Sequence, residues 1–169
     1  MSEVQTQTFD AARHVRDGFD CGDAALNAYF AGKVESEVRK FLTTCIVAVE
    51  PASDPDRVVG FATVSAAGFD RSRLTSNLRR RFAYGQVPAA RLGRLAVDVS
   101  RQGRGVGEQL LAAAAGRVVQ SGLAAALMLV DAKDDRAADY YRRFGFRPTR
   151  EDPLVLYATT VDLAESFAG

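Results

Sequence analysis

Leu92 to Gly107 reads LGRLAVDVSRQGRGVG, and the fold turns on how this stretch is parsed. Leu92 to Val99 alternates as a half-buried strand, and Arg104 to Gln120 places Val106, Leu110, Leu111, Ala114 and Val118 on one face of a helix. Between them lies a glycine-rich turn. The amides of a helix's first turn have no intrahelical partner and point outward, so a strand feeding a helix through such a turn offers an anion a row of N–H donors. Gly103, Gly105 and Gly107 allow close backbone approach and positive φ, while Arg101 and Arg104 add charge. Two other phosphate motifs fail on spacing. A Walker A loop ends in GK[ST], whereas this one runs into Glu108 and Gln109; a GxGxxG fingerprint needs glycine where Glu108 or Leu110 stands.

Working outward, Ala124 to Val130 reads as a buried strand, Asp134 to Phe144 as a helix, and Phe146 to Arg147 with Leu154 to Thr160 as closing strands. Upstream, a polar lead precedes Cys21 to Phe41, where Leu26, Tyr29, Phe30, Val34, Val38 and Phe41 recur at helical spacing and Gly32 marks a break between two short helices. Asp20 or Asp23 stands where the first helix needs a cap. Thr43 to Glu50 and Arg57 to Ala67 are rich in β-branched residues and flank Asp54, Pro55 and Asp56, which predicts two antiparallel strands joined by a turn. Residues 70–88 are the least regular, with a short helix expected around Leu74 to Phe82 and a loop through Gly85 and Pro88. No internal repeat, low-complexity tract or linker interrupts the chain, so residues 1–169 read as a single mixed α/β domain.

The 169 residues, 47% hydrophobic and 25% charged, suffice for one ordinary core. The 22 basic and 21 acidic side chains nearly cancel, but unevenly: residues 71–117 carry ten basic against two acidic groups, a local field that attracts phosphates. Cys21, Cys45 and the single histidine, His14, supply no structural zinc set, so no metal is expected. Two thiols in a chain of this size read as reduced residues of a cytoplasmic protein. His14 falls in the polar lead and reads as a surface residue. MSEVQTQTFDAARH lacks the basic start and apolar run of a signal peptide, and the longest uncharged run, Val118 to Val130, is too short and too polar to cross a membrane.

At this point the chain resembles a known superfamily. Gln102 to Gly107 is similar to QxxGxG, the acetyl-coenzyme A pyrophosphate loop of the GNAT N-acetyltransferases, and it follows its strand as that loop does. Asp134 to Phe146, DDRAADYYRRFGF, resembles the GNAT pattern NxxAxxxYxxxGF, with Ala137, Tyr141, Gly145 and Phe146 in register and Asp134 in place of the usual asparagine. FDCGDAALNAYF, RVVGFATVSA, VPAARLGRLAVD and PLVLY extend the likeness, over about residues 19–157, to the TacT-like acetyltransferase toxins of bacterial toxin-antitoxin pairs. In that group an aspartate at the position of Asp134 is common. The resemblance implies a GNAT fold, α/β with a central mixed, mostly antiparallel twisted sheet flanked by helices. It also implies acetyl-coenzyme A (acetyl-CoA) as co-substrate, acetylation of the α-amino group of aminoacyl-tRNA, and a small ribbon-helix-helix antitoxin as partner. A homodimer or a monomer stays open.

The same resemblance assigns residues. Leu95, Ala96 and Val97 would bond the pantetheine arm through their backbone, with Arg101, Gln102, Gly103, Arg104, Gly105, Val106, Gly107 and Asp134 completing the acetyl-CoA site. Tyr141 would protonate the departing thiolate: a phenol of pKa about 10 stays protonated at neutral pH and can serve a thiol of about 8.5. No general base stands out, though a water relay through Asp98 or Glu50 stays open. This favours an α-amine, pKa about 7.7 to 8.0, over a lysine amine near 10.4. Arg79, Arg80, Arg91, Arg142 and Arg143 are candidates for a phosphate-tracking surface toward tRNA, with Arg71, Arg73, Arg81, Arg147 and Arg150 near them in sequence. The alternatives are a GNAT enzyme acting on a small-molecule or protein amine, and a GNAT domain that binds coenzyme A without catalysis.

Overall fold

The segment expected to be a polar lead contains a strand, β1 (Gln5–Thr8), whose sequence QTQT has no apolar alternation. It is a strand because it pairs antiparallel with β2 (Thr44–Glu50), Gln5 opposite Val49 and Thr8 opposite Ile46. Asp23 caps the first helix: its carboxylate accepts the amides of Ala25 and Leu26, and α1 (Ala24–Gly32) follows, then α2 (Val34–Arg39). β3 (Asp54–Asp70) is longer than expected at both ends. The reversal falls at residues 51–53, with Glu50 opposite Asp54, so Asp54, Pro55 and Asp56 belong to the strand and not to the turn. A single 3-10 turn, Arg71–Arg73, and α3 (Ser76–Arg81) replace the one helix expected before Phe82. β4 (Gln86–Val97) then absorbs Pro88, expected in a loop; the proline carbonyl accepts the Ala126 amide at 2.8 Å, and the ring's missing N–H is not needed there.

The remaining elements are α4 (Val106–Gln120), β5 (Leu127–Asp131), α5 (Asp135–Arg142), β6 (Arg147–Pro148), β7 (Val155–Thr159) and α6 (Thr160–Ala168). The last helix was not expected from the sequence. This computed structural model describes residues 3–83 and 85–168; Tyr84, inside the irregular stretch, lies outside the described residues. The strands form one sheet in the order β1-β2-β3-β4-β5-β7-β6. β4 and β5 are parallel, while the β1–β2, β2–β3, β5–β7 and β6–β7 pairs are antiparallel, which makes the sheet mixed as expected.

By packing, the described residues divide into two units, one within Met1–Ser65 and Arg94–Ala114, the other within Ala66–Gly93 and Ala115–Gly169. The first is built on aromatic contacts. Phe30 stacks on Phe61 with centroids 4.1 Å apart, Phe19 meets both rings edge-on, and Cys45, Val47, Val49 and Val58 fill around them. His14 belongs to this unit and is 5% exposed, against the expectation of a surface residue. Its Nδ1 accepts the Asp10 amide at 2.9 Å and its Nε2 meets Gln7 Oε1 at 2.9 Å, so a neutral imidazole loses no hydrogen bond by burial, and burial lowers its pKa. The second unit packs Phe69, Leu74, Val87, Leu127, Leu129 and Tyr157. Among the described residues no helix is long and apolar enough to cross a membrane.

One glycine of β3 sets how closely α4 approaches. A Cβ at Gly60 would stand 3.0 Å from Leu110 Cδ1, 3.1 Å from the Ala96 carbonyl oxygen and 3.2 Å from Val106 Cγ1. Gly60→Val is therefore expected to overpack the start of α4, costing about 1–3 kcal/mol and lowering the thermal midpoint by roughly 2–12 °C. Calorimetric melting of the variant checks this; an unchanged midpoint would mean the helix can shift without cost.

Candidate active site

The turn after β4 is held from three directions within the first unit. Gln102 Nε2 donates to the carbonyls of Cys21 and Val97, both at 2.9 Å, and so ties the turn to the FDCG segment and to the strand it leaves. Asp98 caps the following 3-10 turn by accepting the Ser100 amide, and its other carboxylate oxygen accepts the Asp20 amide at 3.1 Å while Val99 N–H donates to the Asp20 carbonyl at 2.8 Å. Burial pushes the Asp98 carboxyl up, but the bonds from Ser100 and Asp20 outweigh it and hold the group below its ordinary pKa. Asp98 is thus a structural acceptor, which leaves it poorly suited to relay protons. Glu50, the other relay candidate, is 5% exposed and is held by Arg101 Nε at 2.7 Å. Arg101 therefore neutralises a buried carboxylate as well as flanking the turn.

What the braced turn presents is backbone. Gly103 and Gly105 stand at φ 75° and 81°, and a Cβ at either would meet nothing within 4 Å. Gly107 lies within α4. Gln109 N–H donates to the Gly105 carbonyl at 3.1 Å, the first rung of α4, which leaves the amides of Val106, Gly107 and Glu108 ahead of the ladder. Arg104 is exposed beside them. Two open glycines, first-turn amides and a solvent-facing guanidinium fit a diphosphate. Leu95, Ala96 and Val97 lie on β4 past its last pair with β5, Leu92 opposite Val130, so this end of the strand continues without a β5 partner.

Tyr141 belongs to the second unit. Asp134 Oδ1 accepts the Ala137 amide at 2.8 Å and caps α5, so the position of the family asparagine starts the helix that carries the tyrosine. Ala138 and Tyr141 face inward; the Tyr141 ring meets Tyr140 and Phe146 edge-on, at 5.4 and 5.7 Å. The helix ends at once: Phe144 and Phe146 N–H donate to the Tyr141 carbonyl at 3.0 and 3.4 Å, which fixes the tyrosine from the GF side of the motif. Burial raises the Tyr141 pKa, so the phenol holds its proton across the neutral range. Among the described residues no group of three or more His, Cys, Asp or Glu could hold a metal ion.

The candidate tRNA arginines all fall in the second unit, with different duties. Arg91 pairs with Asp131 at 2.5 Å and Arg142 with Asp139 at 3.3 Å. Arg143 lies over the Tyr140 ring, 5.1 Å from its centroid, and Arg80 bonds Asn77 and the Ser76 carbonyl on its own helix. Arg79 is half-buried, and its carbonyl accepts Arg71 Nε at 2.9 Å; Arg73 is paired with Glu151. Arg80, Arg142 and Arg143 are thus the exposed members of the set, whereas Arg71 and Arg73 serve the local fold. The bracing residues Asp20, Asp98, Gln102 and Glu50 had no role of this kind in the sequence; the only trace was the FDCG segment, far from the turn it holds.

The chain belongs to the GNAT acetyltransferases: residues 42–148, well over half of it, match the Acetyltransferase (GNAT) domain. It is 32% identical over 155 residues, 88% of this chain and 90% of the relative, to a tRNA-acetylating toxin of Mycobacterium tuberculosis. Its fold superposes on AtaT complexed with acetyl-methionyl-tRNAfMet with a TM-score of 0.87 at 26% identity, covering 98% of this chain and 99% of that one. AtaTR bound with AcCoA matches with a TM-score of 0.80 at 25% identity, over 97% and 98% of the two chains.

Proposed function

We infer that this chain is an acetyl-CoA-dependent N-acetyltransferase toxin that acetylates the α-amino group of aminoacyl-tRNA and so blocks translation. Residues 1–169 act as one GNAT domain in the cytoplasm, neutralised by a ribbon-helix-helix antitoxin. The observation that carries this reading is the 32% identity over 155 residues to a tRNA-acetylating toxin. The braced turn from Arg101 to Gly107 takes the diphosphate, and the backbone of Leu95, Ala96 and Val97 takes the pantetheine arm. Asp134 caps the helix that presents Tyr141. The neutral α-amine attacks the thioester carbonyl, and the C–N bond forms as the C–S bond breaks. Tyr141 gives its proton to the departing thiolate, and the proton that the amine nitrogen releases passes to water, from which the phenolate is reprotonated. An α-amine near pKa 7.7 to 8.0 is already partly neutral at physiological pH, so a site in which Asp98 and Glu50 are both engaged elsewhere can still use it.

Mass spectrometry of charged tRNA after incubation with enzyme and acetyl-CoA tests the reading: N-acetyl-aminoacyl ends are expected, and lysine peptides should react poorly. Acetylation of polyamines or peptides with charged tRNA left untouched would sink it. Electrostatics supplies a second expectation. The logarithm of tRNA affinity should fall linearly with the logarithm of salt concentration, and Arg80→Ala, Arg142→Ala or Arg143→Ala should each reduce the slope by about one if that residue neutralises a phosphate. Anisotropy titrations at four salt concentrations read this directly. Slopes unchanged in all three variants would move the tRNA surface elsewhere.

A further inference from the structure

The corner between α2 and β2 carries a feature that acetyl transfer does not use. Phe41 is 96% exposed, and Leu42 beside it 61%. Phe41 also stands at φ 57°, the only non-glycine residue with positive φ among the described residues. The corner is a helix C-cap: Phe41 N–H donates to the Val38 carbonyl at 3.1 Å and Leu42 N–H to the Glu37 carbonyl at 3.0 Å. In such caps glycine is the usual left-handed residue, because a Cβ there is strained. Phenylalanine loses on both counts, holding a strained backbone and a ring in water, and among the described residues no aromatic ring or cation packs on it. The corner is also anchored, since the Thr43 and Thr44 hydroxyls donate to the Val64 carbonyl at 3.0 and 3.1 Å.

Charge says what this ring faces. Arg39 and Lys40 precede it, both exposed; of the two acidic groups of α2, Glu35 reaches Arg39 and neither pairs with Lys40. Glu37 accepts the Tyr29 hydroxyl at 2.6 Å; Glu35 pairs with Arg16 at 3.2 Å and reaches Arg39 only at 3.9 Å. Lys40 has no ion pair among the described residues. Two cations followed by a bare aromatic ring on a fixed corner is the composition that holds unpaired nucleic acid, with the cations on phosphates and a base stacked on the ring. Duplex RNA keeps its base faces covered by neighbouring pairs, and a second copy meeting this corner face to face would oppose Arg39 and Lys40 with their own kind.

We propose that Arg39, Lys40 and Phe41 form a stacking contact for a single-stranded RNA segment. It rests on the aminoacyl-tRNA reading above, in which that segment is the unpaired 3′ end of the acceptor strand. The test is binding of a deacylated tRNA, and of the same tRNA trimmed of its unpaired 3′ nucleotides, by the wild type, Phe41→Gly and Phe41→Trp. Phe41→Gly relieves the left-handed strain and should melt a few degrees higher, yet bind intact tRNA about ten-fold more weakly. Phe41→Trp should keep the affinity, and trimmed tRNA should bind wild type and Phe41→Gly alike. Equal binding of intact tRNA by wild type and Phe41→Gly would overturn the contact, as would an equal loss on trimmed tRNA. Reduced self-association of Phe41→Gly in sedimentation, with tRNA affinity unchanged, would assign the ring to a second copy instead. A wild-type protein that neither binds nor acetylates charged tRNA removes the aminoacyl-tRNA reading and this contact together, whereas the other outcomes leave that reading standing.

Discussion

Gly105→Glu is expected to abolish acetyl-CoA binding in a protein that stays folded. The residue stands at φ 81° with open space where its Cβ would go, so the variant bears backbone strain of about 1–2 kcal/mol but no clash. Its carboxylate would lie at the first turn of α4, against the amides of Val106, Gly107 and Glu108, and would compete for them with the diphosphate. Like charges about 4 Å apart near a protein surface repel by about 4 kcal/mol, which corresponds to roughly three orders of magnitude in affinity. Gly105→Asn separates strain from charge: asparagine tolerates the left-handed region and carries no charge, so its loss should be far smaller. Isothermal titration calorimetry with acetyl-CoA, alongside a melt to establish folding, decides the matter. Wild-type affinity in a folded Gly105→Glu protein would remove the diphosphate from this turn.

Tyr141→Phe should lower turnover by roughly 10² to 10⁴-fold, the usual contribution of a general acid, with acetyl-CoA affinity nearly unchanged. The ring-to-ring contacts with Tyr140 and Phe146 are available to phenylalanine as well, which keeps the same ring. The pH profile of the wild type provides an independent reading. Because burial raises the Tyr141 pKa, the phenol stays protonated well beyond neutrality, and its ionisation should cause no fall in rate up to about pH 9. The rise on the acid side should instead follow the substrate α-amine, near pH 7.7 to 8.0 or lower. Full activity in Tyr141→Phe would mean that water or another group protonates the thiolate, while a wild-type rate that falls between pH 7 and 9 would contradict the buried phenol.

Interactions between residues a few positions apart were legible in the sequence. The apolar face of α4 and the glycine-rich turn depend on neighbours within about a turn of chain, so residue order specifies them; the α1 cap was narrowed to Asp20 or Asp23, of which the structure uses Asp23, and that Asp134 caps α5 came from the structure. The two motifs that resemble a GNAT site are of this kind, which is why the class of chemistry is legible in residue order. Pairings between distant residues were not legible. β1 exists because Gln5–Thr8 meets β2, and Pro88 extends β4 because its carbonyl finds Ala126. His14 is buried because Gln7 and the Asp10 amide satisfy both ring nitrogens. Likewise, that Arg101 also holds Glu50, buried on a separate strand, and that the Gln102 amide joins Cys21 to Val97 could not be read from residue order. A hydrogen bond or ion pair forms only where two groups come within about 3 Å, and for groups tens of residues apart that distance is set by the packing of the sheet and helices between them, which only the tertiary structure decides.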